Sequence, residues 1–478
     1  MRLVLGAGFA AILERHLEAA SPADLLAWSL TELSDIDPAI GVRRSGREVE
    51  LLLDGQVAIR RTAPGLPRPE AATRVGGAAA DDLTRFQEVA WSHSRLLRRA
   101  GAPRLIAESF EGIFHHLDPF SRYITPEEAQ AARERRIGEA GLGLRLAPGR
   151  RGAGASIAAI SPGGPAARAG LRIGDHVLAI DGQPLRTRDA GVAAGLLEGP
   201  AGSEVRLLVL QGRTRKRVRL VRTQPVGTPV TARREDDGIL VIRIPGFTAH
   251  TERQVAAALL AAISQEPLRG VVLDLRGNRG GLLSQAASVA DIFLGAGEVF
   301  RTTGRHVDAN RIYVTAGPDL SDGLPVVSLV DGRTASSAEL VAAALADRGR
   351  AAVVGTDTMG KGTVQVVIPL PDGGELLISW SRLILPSGWP LQGLGVIPGL
   401  CTAAGPEATA ANLAALQAGN RPMAATQAAE RAFRYPVPAR EVARIRAACP
   451  PGEVPDSGLM AARTLATDPG ALQAALPR

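Results

Sequence analysis

The stretch "LPVVSLVDGRTASSAELVAAALADRGRAAVVGTDTMGKGTVQVVIPLP", Leu324 to Pro371, decides the fold. It opens on an unbroken apolar run, Val326–Val330, turns through small and polar residues, and passes into the helical spacing of "SAELVAAALADR". Two more strand-like runs follow, "AAVVGT" and "VQVVIPL". Continuous Val, Ile and Leu, with no polar alternation, is the pattern of strands buried on both faces, and helices between such runs indicate an α/β core. The pattern extends upstream through "GILVIRIPGF", the helix "ERQVAAALLAAISQ", "GVVLDLRGNRGG" and the helix "LLSQAASVADIFL". The spacing therefore predicts an α/β core over 226–402.

One residue type in the quoted stretch is out of place. The chain has 55 basic residues, and all but Lys216 and Lys361 are arginine. A loop lysine at 361 suits three roles. As a phosphate ligand it would need G-x-x-x-x-G-K-[ST] between a strand and a helix. Gly355, Gly360 and Lys361 fit, but position 362 is Gly and "TVQVVIPLP" is a β-branched strand, not a helix whose N-terminus could cradle phosphate. A nucleotide-binding role is set aside on that ground. As a turn residue between two glycines it would sit in water, where this chain elsewhere uses arginine. As a base it would have to be lysine, because arginine keeps its proton at any workable pH while a desolvated lysine can lose its own.

A base needs a nucleophile, and "DGRTASSAEL" offers Ser336 and Ser337 where a strand ends and a helix begins. Ser336-x-x-Glu339 also reads as a capping box. The two readings are compatible, since the free N–H groups at a helix N-terminus can stabilise an oxyanion. No histidine follows His306, so a serine–lysine pair is simpler than a serine–histidine triad.

Composition bounds the rest. A chain of 478 residues suggests two to four domains and can bury a large core. Hydrophobic content of 45% with aromatics at 3% makes that core mostly Ala, Val, Leu and Ile. The net charge of +7 is modest, and the basic run "RTRKRVRLVR", Arg213 to Arg222, reads as a half-exposed strand rather than a nucleic-acid stripe, with no aromatics interleaved for base stacking. Cys401 and Cys449 are too few for a disulfide framework and lack metal-ligand spacing, and no HExxH or clustered His/Cys pattern is present, so no metal or cofactor is expected. No run of about 18 apolar residues would span a bilayer. The start, one Arg then 11 apolar residues then Glu14 and Arg15, reads as a poor secretory signal or as an amphipathic helix.

The pattern divides the chain at three places. Residues 1–137 read as mainly helical, with a hairpin over Arg47–Arg61 turning at Asp54-Gly55 and a helix start at Thr125-Pro126-Glu127-Glu128. Residues 138–225 change to short apolar runs punctuated by glycine, including "GPAARAGLRIGDHVLAIDG" with Gly170, Gly174 and Asp175 in register. This segment resembles a PDZ domain. The resemblance implies that the "GLGL" loop, Gly141, Leu142, Gly143 and Leu144, offers backbone N–H groups to a peptide's terminal carboxylate while the peptide adds as a strand. Residues 403–478 read as an Ala- and Pro-rich tail of helices and loops with no legible chemistry.

In order along the chain, "LDPFSRYITPEE", the PDZ-like segment, "VVLDLRGNRGGLL", "GRTASSAELVAAAL", "GTDTMGKGTVQVVIPLPDG" and "SRLILPSGWPLQGLGVIPGL" resemble the carboxyl-terminal processing proteases over roughly 105–400. The resemblance implies a core similar to the crotonase and Clp protease fold, with an inserted PDZ domain and a mainly helical N-terminal region. It implies a serine endopeptidase that recognises proteins by their C-terminal tails, with Ser336 as nucleophile, Lys361 as general base and Gln365 orienting the lysine. Its oxyanion donors would be the backbone N–H of Ser337 and of Gly280 or Gly281. It also implies a periplasmic or cell-envelope location, and leaves room for a homo-oligomer or an adaptor protein. Two positions depart from the family pattern: Gly277, where Asp or Asn is usual, and Gly399, where an acid is common. A non-catalytic PDZ scaffold is the rival reading, and a thioester enzyme of the crotonase type would not need the PDZ segment.

Overall fold

The apolar runs of the quoted stretch lie side by side in a six-stranded sheet. Across it stand β1 (Thr231–Arg234), β2 (Ile239–Arg243), β3 (Gly270–Asp274), β4 (Val326–Val330), β5 (Ala351–Gly355) and β6 (Leu400–Cys401). From β2 to β6 all neighbours pair parallel, and β1 runs antiparallel along β2. The structure is a computed structural model that describes residues 1–129, 142–148, 154–160, 164–185, 197, 203–212, 214–222 and 230–477. The chain forms two units, one of residues 1–123, 228–368 and 376–478, the other of 124–227 and 369–375.

In the larger unit the sheet is covered on both faces. Side chains alternate along each strand, so Leu240, Ile242, Val271, Leu273, Val326 and Val330 join one apolar cluster with helices α1 (Leu283–Asp291) and α2 (Ser337–Asp347). Val241, Val272, Val327, Leu329 and Val354 join the other, with helices α3 (Asp456–Thr467) and α4 (Pro469–Ala475). Each fully buried Val or Leu contributes about 1.5–3 kcal/mol, which is why the runs carry no polar alternation. The second cover comes from the Ala-rich tail, whose small residues let α3 and α4 lie close on the strands. That closeness accounts for Gly399: a Cβ there would sit 2.0 Å from the Ala475 carbonyl oxygen of α4. A second sheet has the order Arg311–Thr315, Gly297–Thr303, Glu375–Ile384, Thr363–Pro369, with Gly297–Thr303 antiparallel to both of its neighbours.

The N-terminal residues form helices Arg2–Arg15, Pro22–Thr31, Ala72–His93 and Arg95–Leu117 with a three-stranded sheet. The expected hairpin is present as Glu48–Leu53 and Gln56–Thr62, with Asp54 and Gly55 at φ 51° and 79°, the left-handed pair that a tight hairpin turn needs. A third strand, Ile40–Ser45, joins them; its "IGVRRS" has no apolar alternation to mark it.

The smaller unit holds the glycine-punctuated segment. Its strands run in the order Thr214–Val221, Glu204–Gln211, His176–Ile180, Ala155–Ile160, Leu144–Pro148, around Ile157, Ala166, Val177, Ile180, Val205 and Val209. The basic run is the half-exposed strand its alternation predicts: Arg215, Arg217 and Arg219 face water while Leu220 is buried. Gly141 lies outside the described residues. Leu142 is buried in this core, Gly143 has φ 66°, and Leu144 opens the edge strand.

Candidate active site

The loop after β4 is built to hold Ser336 in a conformation it would not choose. Asp331 Oδ1 accepts from the backbone N–H of Arg333 (3.0 Å), Thr334 (2.9 Å) and Gly277 (2.9 Å), an aspartate turn that folds the chain back at the strand end. The Thr334 hydroxyl donates to the Leu275 carbonyl at 2.9 Å, and Ala335 N–H donates to the Asn278 carbonyl at 2.9 Å. Ser336 then stands at φ 56°, ψ −120° immediately before α2. Among the described residues the other non-glycine positions with positive φ are Asp54, Asp181 and Asp322, a residue type that tolerates that region. A serine there costs about 1–3 kcal/mol and persists because the surrounding bonds over-determine it. The result is a serine on a sharp strand-to-helix turn, where a nucleophile's hydroxyl is presented and backbone N–H groups lie beside it.

Glu339 ties this turn to the lysine loop. Fully buried in the first turn of α2, its carboxylate accepts from the backbone N–H of Ser336 (2.7 Å), Gly360 (2.6 Å) and Lys361 (3.0 Å) and from the Thr358 hydroxyl (2.5 Å). Burial pushes the carboxyl upward, and these four donors hold it back. Lys361 itself is half-buried, and among the described residues no carboxylate stands within ion-pair range of its Nζ. Its Nζ lies 6.0 Å from the centre of the Phe120 ring.

Gln365 does not meet the lysine in the way strand alternation suggests. The strand begins at Thr363, two residues beyond Lys361, and the Gln365 amide donates to the Phe120 carbonyl. Phe120 is thus the shared neighbour of both residues. Its loop is fixed by Asp118, which accepts from the N–H of Phe120 (2.8 Å) and Ser121 (3.0 Å), the Ser379 hydroxyl (2.9 Å) and His16 Nε2 (2.8 Å). Burial would raise the Asp118 carboxyl, but these donors outweigh it and hold it well below the usual carboxylate range.

The glycine loop closes the site. Asp274 at the end of β3 is buried, yet the Arg276 guanidinium (2.9 and 2.8 Å) and Arg243 (2.9 Å) hold its carboxyl down against that burial. Gly277 has φ 71°, a left-handed conformation that glycine takes freely and that Asp and Asn tolerate better than other residues. Buried Asn278 donates to the Ile244 carbonyl and accepts Gly280 N–H, each at 2.8 Å. A Cβ on Gly280 would meet Ser336 Cβ at 2.9 Å and Ser337 N at 3.0 Å, so this backbone presses directly on the serine turn. The Ser337 hydroxyl donates to the Gly281 carbonyl at 2.9 Å. Gly280 N–H is committed to Asn278, whereas the N–H groups of Ser337 and Gly281 have no partner among the described residues.

The structure therefore brings Ser336, Lys361, Ser337, Gly280 and Gly281 around one set of loops. Sequence reasoning missed Asn278, Phe120 and Asp118, and read Glu339 only as a cap. The capping box was the one local signal; its second function, gripping a loop 21–22 residues downstream, leaves no periodic trace.

The match to known proteins covers both units. Residues 238–400 match the model of peptidase family S41, and residues 156–211 match that of a PDZ domain. A carboxy-terminal-processing protease of Bartonella bacilliformis is 37% identical over 304 residues, 62% of this chain and 69% of that protein. A carboxyl-terminal-processing protease of Synechocystis is 31% identical over 288 residues, 59% of this chain and 67% of that protein. Among solved structures, the photosystem II D1 C-terminal processing protease is 27% identical with a TM-score of 0.39, covering 66% of this chain and 85% of its own.

Proposed function

The chain belongs to the carboxyl-terminal-processing serine proteases of peptidase family S41, and from that premise we propose that it cuts protein substrates through a Ser336–Lys361 dyad. Lys361, as the neutral amine, takes the proton of Ser336 Oγ while that oxygen attacks a backbone carbonyl carbon. The tetrahedral oxyanion accepts from the N–H groups of Ser337 and Gly281. Of the two candidate glycines Gly281 is favoured, since its N–H is unspent and that of Gly280 already donates to Asn278. Collapse expels the amine, which takes the proton from Lys361. Water then attacks the acyl-enzyme, with Lys361 again as base.

The observation that carries this reading is the grip of one buried carboxylate on the backbone of both residues, Ser336 at 2.7 Å and Lys361 at 3.0 Å. Gln365 serves through Phe120 rather than by touching the amine. The PDZ unit receives the substrate's C-terminal carboxylate at Leu142, Gly143 and Leu144, and the peptide extends the edge strand Leu144–Pro148. We liken the parallel sheet with its flanking helices to the crotonase and Clp protease fold, and assign the protein to the periplasm or cell envelope; among the described residues no helix is long and apolar enough to cross a membrane. The test is cleavage of an unfolded model protein with an apolar C-terminus by wild type, Lys361→Arg and Ser336→Ala. Cutting by wild type alone supports the dyad. Cutting by Lys361→Arg overturns it, and binding of the tail without cutting by wild type would restore the scaffold reading.

A further inference from the structure

Residues 446–454 of the tail run past all three loops of the site. Arg446, in the last turn of helix Ala439–Ala447, donates to the carbonyls of Thr358 (2.9 Å) and Gly393 (3.1 Å) and pairs with buried Asp357 at 3.1 Å. The Cys449 carbonyl accepts from Asp357 N–H at 3.3 Å. The Gly452 carbonyl accepts from Gly332 N–H (2.8 Å) in the serine loop and from the Thr356 hydroxyl (2.9 Å) in the lysine loop. The Val454 carbonyl accepts from Arg276 of the glycine loop at 3.2 Å. The fit is close at both ends: a Cβ on Gly332 would sit 2.8 Å from Gly452 N, and one on Gly395 would sit 2.4 Å from Asp357 Oδ1 and 2.9 Å from Arg446 Nη1.

A covalent bond holds this segment in place. Cys401 and Cys449 form a disulfide across a sequence separation of 48. Cys401 ends β6 and pairs with Gly355, the last residue of β5 before the lysine loop. The bond therefore fastens the segment at the root of that loop.

We propose that Arg446 is a positioning residue for the lysine loop and that the Cys401–Cys449 disulfide is the clasp keeping 446–454 on the three site loops. The inference rests on the Ser336–Lys361 reading. Arg446 holds the Thr358 carbonyl, the Thr358 hydroxyl and the Gly360 and Lys361 N–H groups bind Glu339, and Glu339 holds Ser336. A shift at Arg446 passes along this chain to the distance between amine and hydroxyl, where a displacement of about 1 Å costs on the order of a hundredfold in rate. A dithiol reductant would convert the cystine to two thiols, giving two electrons and two protons and closing into its own disulfide. The segment would then be held by hydrogen bonds alone.

The test compares wild type with Arg446→Ala, Arg446→Lys and the double variant Cys401→Ser/Cys449→Ser. Cleavage of the unfolded substrate is normalised to the folded fraction by circular dichroism, and amide hydrogen exchange is followed over Thr356–Lys361. Expected is a fall in kcat on the order of tenfold or more in Arg446→Ala and the double cysteine variant, with KM within about twofold. Arg446→Lys should fall between, because a single ammonium cannot hold the Thr358 and Gly393 carbonyls together as the guanidinium fork does. Dithiothreitol should bring wild type to the level of the double variant and leave that variant unchanged. Faster exchange at Thr356–Lys361 should accompany each loss. Unchanged kcat per folded molecule would overturn the proposal. Should wild type not cut at all, the peptidase reading fails separately, and exchange decides alone: equal protection in wild type and variants overturns the clasp.

Discussion

Lys216 and Lys361 are the two lysines of an arginine chain, and their surroundings differ in kind. Lys216 lies on the exposed strand Thr214–Val221, between arginines that face water, and its Nζ donates to Gln211 Oε1 at 2.7 Å. Nothing about that place needs a lysine. Lys361 has its backbone N–H on a buried carboxylate, neighbours on either side held by Glu339 and Gln392, and an amine with no acid beside it among the described residues. Rarity flags both residues equally. What separates them is whether the fold spends buried hydrogen bonds to fix the residue's position.

The sharpest way to break the comparison is to put arginine at each site. Lys361→Arg keeps a basic side chain of similar reach but cannot give up its proton to act as a base, so kcat/KM should fall by about 10³-fold or more, the scale of losing a general base and crowding the site. Lys216→Arg should stay within about twofold, because an exposed position changes neither packing nor chemistry. Equal effects at the two sites, read by initial rates on the unfolded substrate, would dissolve the distinction.

Glu339→Gln tests the grip itself and should have the next largest effect. A carboxylate can accept all four donors, while an amide offers one oxygen and turns N–H groups against the others. With two or more buried donors unmet, stability should drop by about 2–5 kcal/mol, seen as a lower denaturant midpoint. Catalysis should drop by on the order of a hundredfold per folded molecule as Ser336 and Lys361 lose their common anchor. A variant that is less stable but fully active would show that the serine and lysine loops hold their geometry independently.

How legible each part was follows from range. The apolar runs of the strands, the hairpin turn at Asp54-Gly55 and the capping signal at Ser336 are patterns within a few residues, and the periodicities report them directly. The motif around Lys361 was readable, but its reason was not: the bonds that fix it come from Glu339, 21–22 residues upstream, and Arg446, 88 residues downstream of Thr358. Strand alternation put Gln365 against Lys361, and it failed because the strand starts after the lysine and the amide reaches Phe120, 245 residues away in sequence. The tail looked inert because part of its work is done by backbone carbonyls at 449, 452 and 454, which any sequence supplies, and the rest by one arginine in an arginine-rich chain. Two cysteines 48 residues apart gave no hint of pairing until β6 brought one beside the lysine loop.

The smallest expected effect separates the two halves of the Arg446 contact. Burial pushes the Asp357 carboxyl up to about 8, against the pull of Arg446 and with Glu430 adding to the rise. A carboxyl raised in this way keeps its proton in the folded state while the unfolded chain releases it near the ordinary 3.8. Between roughly pH 4 and 8 the folded state then binds more protons, so stability falls as pH rises through that window and levels off above it. Asparagine removes the titration. Asp357→Asn should therefore match wild type near pH 4 and exceed it by a margin that grows steadily as pH rises towards 8, measured by denaturant unfolding at each pH. Activity should hold, because Arg446 keeps the Thr358 and Gly393 carbonyls that set the loop. A stability gap that stays flat with pH would mean instead that Asp357 is ionised throughout, and that the arm bracing the lysine loop is a charged pair rather than a guanidinium resting on carbonyls.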